Sequence, residues 1–216
     1  MVTRTLQPEL LDALPPGDPD AIHSRRDLRY FNRAMGNPAW FHHELPRLLR
    51  PSDRILELGA GTGELRTGFP SILTPWDAVD LAPRPLTWPA QAQWFQTDVR
   101  NFDRWSDYTV ILANLFLHHL EDRDLEALGR RVPDSVRVVM CCEPARGRQW
   151  QWLFRAVCFL VRANHVSRHD GHVSIAAGFR DAELPESLGF HTPSWHARVG
   201  CSPRGVYRMI AIREMS

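Results

Sequence analysis

The spacing of hydrophobic positions changes repeatedly along this chain, and the changes predict alternating helices and strands. Apolar side chains recur at helical spacing in four segments, at 24–35, 38–49, 121–131 and 147–163. Short apolar runs predict seven strands, at 54–58, 77–81, 92–97, 108–115, 136–142, 190–198 and 206–213. Ser24 is the expected N-cap of the first helix, and Pro38 is the expected first residue (N1) of the second.

This alternation is typical of a Rossmann-like, doubly wound α/β sheet. The run 108–115 is almost entirely apolar, as expected for a central parallel strand that is covered on both faces. No linker or internal repeat divides the chain, so we expect a flexible N-terminal arm at 1–20 and a single domain at 21–216. Within that domain, 21–50 would form N-terminal helices and 145–188 would cover a substrate site.

Composition narrows the classes of function. The 216 residues are 44% hydrophobic and 24% charged, as in an ordinary globular domain, and the net charge of +1 favours no nucleic-acid partner. All 26 basic residues are arginines, which excludes Schiff-base lysine chemistry and a P-loop. The four cysteines lack C-x-x-C spacing, so we expect buried free thiols and no zinc knuckle, and the spacing of the histidines and acids matches no standard set of metal ligands, so no metal is expected. The N-terminus has no apolar signal core, and the apolar run at 152–161 is too short for stable membrane insertion, which together predict a cytoplasmic protein.

A glycine-rich loop follows the first predicted strand and is the most specific local signal. Its spacing, from Gly59 to Gly63, is G-x-G-x-G, whereas a dinucleotide-binding loop has G-x-G-x-x-G. Glu64 stands where that fingerprint has Gly or Ala, and its negative charge would repel a pyrophosphate. Asp80 ends the next strand, at a position where an acid can accept hydrogen bonds from both hydroxyls of a ribose.

The segment from Glu57 to Gly63 resembles motif I of the class I S-adenosylmethionine-dependent methyltransferases. The resemblance implies a seven-stranded sheet whose last strand is antiparallel, and binding of S-adenosyl-L-methionine with S-adenosyl-L-homocysteine as product. The residues it assigns to the cofactor are Glu57, Gly59, Ala60, Gly61, Gly63, Asp80, Leu81, Asp98, Val99 and Asn114. Asp80 would hold the ribose, Asp98 with Val99 the adenine, and Asn114 the methionine end. Glu57 would either order the loop or touch the cofactor.

Three further stretches, NLFLHHL, CCEPARG and NHVSRHDGHVSIAAGFR, are similar to a subgroup of small bacterial methyltransferases linked to polyketide and phenolic-lipid pathways. This similarity favours His169 as the residue that points into the substrate pocket, with His118 and His119 as the alternatives. A histidine suits the task because a phenol, with a pKa near 10, reacts more readily when a general base accepts its proton.

The expected function is therefore methylation of a small aromatic or apolar molecule, most simply at a phenolic or polyketide-like hydroxyl. The tryptophan-rich segment around Trp150 and Trp152 would suit such a substrate. The alternatives are methylation of a peptide, of a protein or of another atom of a small molecule, and a non-catalytic module that binds S-adenosylmethionine. The sequence leaves the substrate and the oligomeric state open.

Overall fold

The computed structural model describes residues 3–15, 17–191 and 193–214. Its strands are β1 (Ile55–Leu58), β2 (Trp76–Asp80), β3 (Trp94–Gln96), β4 (Val110–Asn114), β5 (Val138–Pro144), β6 (Trp195–Cys201) and β7 (Val206–Arg213). Its helices are α1 (Leu10–Ala13), α2 (Pro19–Met35), α3 (Asn37–Leu48), α4 (Glu64–Thr67), α5 (Asp122–Arg131), α6 (Arg148–Leu160), α7 (His165–Ala177) and α8 (Glu183–Ser187). All seven predicted strands form, with boundaries shifted by a few residues.

The strands form one sheet in the order β3-β2-β1-β4-β5-β7-β6. Strands β1 to β5 pair in parallel, whereas β7 runs antiparallel to both β5 and β6. This is the Rossmann-like arrangement with an antiparallel last strand that the resemblance implied, and the predicted fold class is confirmed. The carboxyl ends of the central strands β1, β2 and β4 lie at one edge of the sheet, where ligands bind in open α/β folds.

Helices cover both faces of the sheet, which explains why β1 and β5 are buried at every position, whereas the edge strand β6 is largely exposed. Side chains alternate between the faces, so that Leu56 and Ile111 enter one core while their neighbours Ile55 and Val110 enter the other. The first core is closed by leucines of α5 and α8, including Leu125, Leu128 and Leu184. The second is closed by α3 and α4 through Phe41, Leu45 and Leu65.

Helix α2 begins earlier than its apolar spacing predicted. Asp18, not Ser24, is the N-cap, because its carboxylate accepts hydrogen bonds from the amides of Asp20 and Ala21, and Pro19 stands at the first helical position. Ser24 is a buried residue inside the helix, where its hydroxyl meets that of Ser167 on α7. The Asp-Pro pair was a local start signal that the hydrophobic pattern alone did not reveal.

The N-terminal segment contacts the body of the protein at points where the sequence predicted a loose arm. Arg4 donates to the carbonyls of Ala177 and Leu120, at 2.9 and 2.6 Å. The carboxylate of Asp170 accepts from the amides of Leu10 and Leu11 at the start of α1, at 2.7 and 3.0 Å. Polar partners that lie far apart in the sequence therefore hold residues 4–11 in place, and such partners leave no local sequence pattern.

Two further expectations concern cysteines and membranes. Cys141, Cys142 and Cys158 are free and buried, as expected, but Cys201 is exposed. None of the described helices combines the length and the apolarity that crossing a bilayer requires.

Candidate functional site

The glycine loop between β1 and α4 is formed by left-handed backbone. Gly59, Gly61 and Gly63 have φ values of 63°, 56° and 74°. A Cβ on Gly59 would lie 2.1 Å from the ring of Phe116, so this position accepts no side chain. A Cβ on Gly61 would meet nothing within 4 Å. The loop is therefore packed beneath Gly59 and open above Gly61, and a ligand can approach its backbone there.

Asp80 is the last residue of β2 and lies beside this loop, whereas Asp98 follows β3 by two residues and caps the short 3-10 helix Val99–Asn101. The two carboxylate oxygens of Asp80 accept from the amides of Gly61 and Ala82, each at 2.7 Å. Asp98 accepts from the amide and the guanidinium of Arg100, and that guanidinium lowers the pKa of the Asp98 carboxyl. Arg100 is a partner that the sequence did not identify.

The neighbours of these residues differ in exposure. Leu81 is 71% exposed beside Asp80, whereas Ala60 and Val99 are buried. Leu81 therefore offers an apolar surface to solvent, while Ala60 and Val99 belong to the two hydrophobic cores.

Glu57 lies behind the glycine loop and is 2% exposed. Burial raises the pKa of its carboxyl to about 8, against the opposing effect of the hydrogen bond that Trp76 Nε1 donates at 2.9 Å. Because the Glu57 carboxyl accepts a hydrogen bond from Trp76 of β2, its position supports a role in ordering the glycine loop.

Asn114, at the end of β4, belongs to a cluster of three asparagines that the sequence did not reveal. Its amide nitrogen donates to Asn32 of α2, and its amide oxygen accepts from Asn37 of α3, both at 3.2 Å. Asn37 is fully buried, yet its own Oδ1 has no hydrogen-bond partner. A buried acceptor without a partner is costly, and a ligand donor at this edge would satisfy it.

The loop after β4 is fixed by one buried carboxylate. Glu143, at the end of β5, accepts from the amides of Phe116, Leu117 and His118 at 3.1, 2.9 and 3.3 Å, and its other contact is His118 Nδ1 at 2.7 Å. The same loop holds Leu115 at φ 56°, a conformation that costs a non-glycine residue about 1–2 kcal/mol. Glu143 compensates for this strain by pairing several amides at once.

His118 and His119 face a carboxylate supplied by the N-terminal segment. Glu9 Oε1 lies 3.9 Å from His118 Nε2 and 4.0 Å from His119 Nδ1, and Ser174 of α7 donates to the same carboxylate. Burial disfavours the imidazolium of His118, but the negative charges of Glu143 and Glu9 prevail and raise its pKa to about 9. Partial burial and the positive charge of His118 lower the pKa of His119, whose side chain is 36% exposed. At neutral pH, His118 is therefore charged and His119 is neutral.

Glu9, His118 and His119 line the polar end of a cavity of about 290 Å³. The remaining lining is largely apolar and comes from α2, α6 and α7, with Phe31, Trp150, Phe154, Val157 and Ile175 among its members. Leu115 also lines the cavity, so the cavity reaches the β4 loop that follows Asn114. Trp150 takes the predicted position in the lining, whereas Trp152 is 64% exposed on the outside of α6.

His169 does not take the predicted position. It lies on the outer side of α7, where its side chain is 41% exposed and Nδ1 is 3.0 Å from Asp170 Oδ1. It is not among the residues that line the cavity, although its neighbours Asp170 and Gly171 are. The helical form of 165–177 explains the difference, because consecutive residues of a helix point in directions about 100° apart.

Within the described ranges, Glu9, His118 and His119 also form a group that could hold a metal ion, with ligand atoms within 4.8 Å of one another. A tetrahedral site with metal–nitrogen bonds of about 2.0–2.1 Å needs ligand atoms about 3.3 Å apart. The separations of 3.9 and 4.0 Å are wider than this. The cluster also has an internal cation in His118, so it is better described as a network of ion pairs.

Comparison of the sequence with protein-family profiles and with curated proteins finds no match. Solved structures do match. The plantazolicin methyltransferase BpumL in complex with SAH (S-adenosylhomocysteine) shares 15% identity, with a TM-score of 0.69 over 92% of each chain. The magnesium protoporphyrin IX methyltransferase ChlM from Synechocystis PCC 6803, with bound SAH, shares 14% identity, with a TM-score of 0.57 over 88% of this chain and 86% of that one. The pyocyanin biosynthetic protein PhzM shares 19% identity, with a TM-score of 0.56 over 92% of this chain and 60% of that one. At these identities the likeness establishes the class I methyltransferase fold.

Proposed function

We propose that this protein, which has the class I methyltransferase fold, transfers a methyl group from S-adenosylmethionine to a hydroxyl of a small aromatic or apolar molecule. The observation that carries the proposal is the adjacency of two features at one edge of the sheet. An open glycine loop follows β1, whose neighbours β2 and β4 end in Asp80 and Asn114. The loop after β4 leads from Asn114 into a largely apolar cavity that His118 and His119 also line.

The residues at this edge fit the methyl donor. Asp80 would accept from the ribose hydroxyls, Asp98 would face the adenine amino group, and the backbone at Gly61 leaves space for the ligand. The unpartnered Oδ1 of Asn37, beside Asn114, would accept from the ammonium at the methionine end. When bound, the donor supplies a methyl group on a sulfonium, which is already a strong electrophile.

The protein's own contribution is to orient the acceptor, exclude water and receive a proton. The apolar cavity performs the first two tasks for an apolar acceptor. His119 is the residue we assign as general base, because it is neutral at neutral pH and lines the cavity. The negative charge of Glu9 would stabilise the imidazolium that forms. His118 is already protonated and therefore serves as a positive charge near the acceptor oxygen.

The chemistry of the cavity lining is what indicates the class of methyl acceptor. The fold serves a plantazolicin methyltransferase and a magnesium protoporphyrin IX methyltransferase, so the fold does not define the substrate. A cavity whose lining is largely apolar, with Glu9 and two histidines among its few polar groups, favours a molecule with a reactive polar group on an apolar body.

The first experiment combines calorimetric titration of S-adenosylmethionine with transfer of its labelled methyl group to a panel of alkylphenols, resorcinols and hydroxyquinones. Binding with transfer to a phenolic oxygen is the expected result. Binding with transfer only to a peptide, or to a nitrogen or carbon atom, would refute the hydroxyl assignment. Binding with no transfer to any acceptor would favour a non-catalytic module, and no binding would refute the cofactor assignment.

A further inference from the structure

We propose that the outer face of α6 docks this protein on the surface of an anionic lipid membrane, beside the mouth of the cavity. Binding to the membrane is independent of the proposed methyl transfer. The supply of substrate from the membrane to the cavity rests on that function.

The first observation is that α6 has a solvent-facing apolar stripe. A helix that covers a globular core normally turns its apolar side chains inward. In α6 the inner face does so through Phe154, Val157 and the buried Cys158, which pack with Phe31 of α2. The outer face is also apolar, and its exposed members are Trp152 (64%), Leu153 (46%), Phe159 (78%) and Leu160 (78%). Large apolar side chains grouped in this way mark an interaction surface.

The second observation is the charge around the stripe. From residue 145 to residue 169 the chain contains no Asp or Glu and five arginines, of which Arg146 is buried and pairs with Glu183, although the whole chain is nearly neutral. Arg148, Arg155 and Arg162 are exposed next to the stripe, and the guanidinium of Arg155 lies 5.3 Å from the ring centroid of Trp152. Apolar side chains flanked by arginines are typical of helices that lie in the headgroup region of anionic bilayers.

The third observation connects the stripe with the cavity. Leu153 belongs to the stripe and also lines the cavity. Leu28 of α2, which is 48% exposed, lines the cavity as well. A lipophilic molecule could therefore pass from a bilayer along α6 into the cavity while remaining in contact with apolar side chains.

The arginines around the stripe also argue against a second copy of this chain as the partner that covers it. A twofold interface places the same patch of both subunits face to face. The arginines around the stripe of one copy would then oppose those of the other, and the segment contains no acidic residue to neutralise them. Anionic headgroups complement this charge.

The test is flotation of the full-length protein with vesicles of phosphatidylcholine alone or mixed with phosphatidylglycerol, at low and high salt. We expect binding to the anionic vesicles that weakens with salt. The double substitution Phe159→Ser/Leu160→Ser should weaken it at least about tenfold, because two large apolar side chains lose their burial in the lipid. Arg148→Gln/Arg155→Gln should remove the preference for anionic vesicles.

The matched control for the single variant Leu160→Ser is Leu73→Ser. Leu73 is 97% exposed but lies far from α6 in the chain. Only Leu160→Ser should weaken binding. Failure of the native protein to bind anionic vesicles, or equal binding by the two single variants, would overturn the proposal. A dimer that dissociates on Phe159→Ser/Leu160→Ser without any vesicle binding would also overturn it and would assign the stripe to self-association.

Vesicle binding and the proposed function can be separated. Calorimetric titration of S-adenosylmethionine should give the same affinity for the native protein and for all of these variants, since α6 contributes nothing to the glycine-loop edge. Vesicle binding without methyl transfer would leave the docking proposal standing while the function fails. Transfer to a water-soluble phenol without vesicle binding would support the proposed function and refute the docking proposal.

Discussion

The glycine-loop edge and the apolar cavity are neighbours at the same end of the sheet, but the chain builds them differently. The edge takes most of its residues from consecutive strand ends, between Glu57 and Asn114, and its central carboxylate, Asp80, binds amides that lie 19 and 2 positions away along the chain. The cavity draws on residues from Glu9 to Gly205, in segments that meet only in the folded protein. A site of the first kind can be recognised from a motif. A site of the second kind depends on buried polar partners that lie far apart in the sequence.

Substitution of His119 should distinguish the two regions most strongly, because it should impair methyl transfer without changing cofactor binding. Replacing His119 by Ala should lower the rate of methyl transfer by roughly 10²–10⁴-fold, because a general base contributes about that much. The affinity for S-adenosylmethionine, measured by calorimetry, should stay the same. His169→Ala is the matched control, since His169 is exposed outside the cavity. Equal rates for the two variants would contradict the assignment of the base.

Glu143 should affect both regions, because its loop lies between them. Glu143→Gln leaves His118 without its buried counter-charge and places an amide group among backbone amides, at a cost of about 3–5 kcal/mol in the free energy of unfolding. Thermal and denaturant unfolding measure the loss. A variant as stable as the native protein would show that the amides near Leu117 do not depend on this carboxylate.

Asp80 should affect the edge alone. Asp80→Ala removes both acceptors from the amides of Gly61 and Ala82, and we expect cofactor binding to weaken by roughly 1–3 kcal/mol. Calorimetry with S-adenosylhomocysteine avoids any turnover during the measurement. Unchanged affinity would mean that the ribose lies elsewhere. The conservative variant Asp80→Asn should recover part of the loss, since the amide oxygen still accepts.

The remaining effect is a dependence of stability on pH. Burial raises the pKa of Glu57 to about 8, so the folded protein holds a proton that the unfolded chain releases above pH 4–5. The stabilisation from this proton is complete below that range and is lost as the pH rises through 8. Glu57→Gln keeps an acceptor for Trp76 and should flatten this part of the curve of unfolding free energy against pH. Parallel curves for the two proteins would contradict the raised pKa.

The raised pKa of His118 acts in the same direction. Stability from its imidazolium is complete below about pH 6.5, the ordinary value for histidine, and is lost as the pH rises through 9. The curve of Glu57→Gln should therefore keep a slope between pH 6.5 and 9 that belongs to His118.

The sequence by itself determined the sheet and the glycine-loop edge. Apolar runs of strand length identify buried strands wherever they fold, and a glycine at a left-handed position such as Gly61 is required by backbone sterics alone. Acids at the ends of predicted parallel strands are expected to lie near one another, because parallel strands bring their carboxyl ends to one edge of the sheet. Asp80, Asp98 and Asn114 therefore lie where the pattern predicted.

Only the tertiary structure decided which histidines face the cavity and what charges they carry. His118 and His169 were both candidates for the base in the sequence, but the first is buried against Glu143 and the second is exposed on α7. The same holds for Glu9, which the sequence placed in a loose arm. Burial and electrostatic partners set a pKa, and both arise from contacts between segments that are distant along the chain.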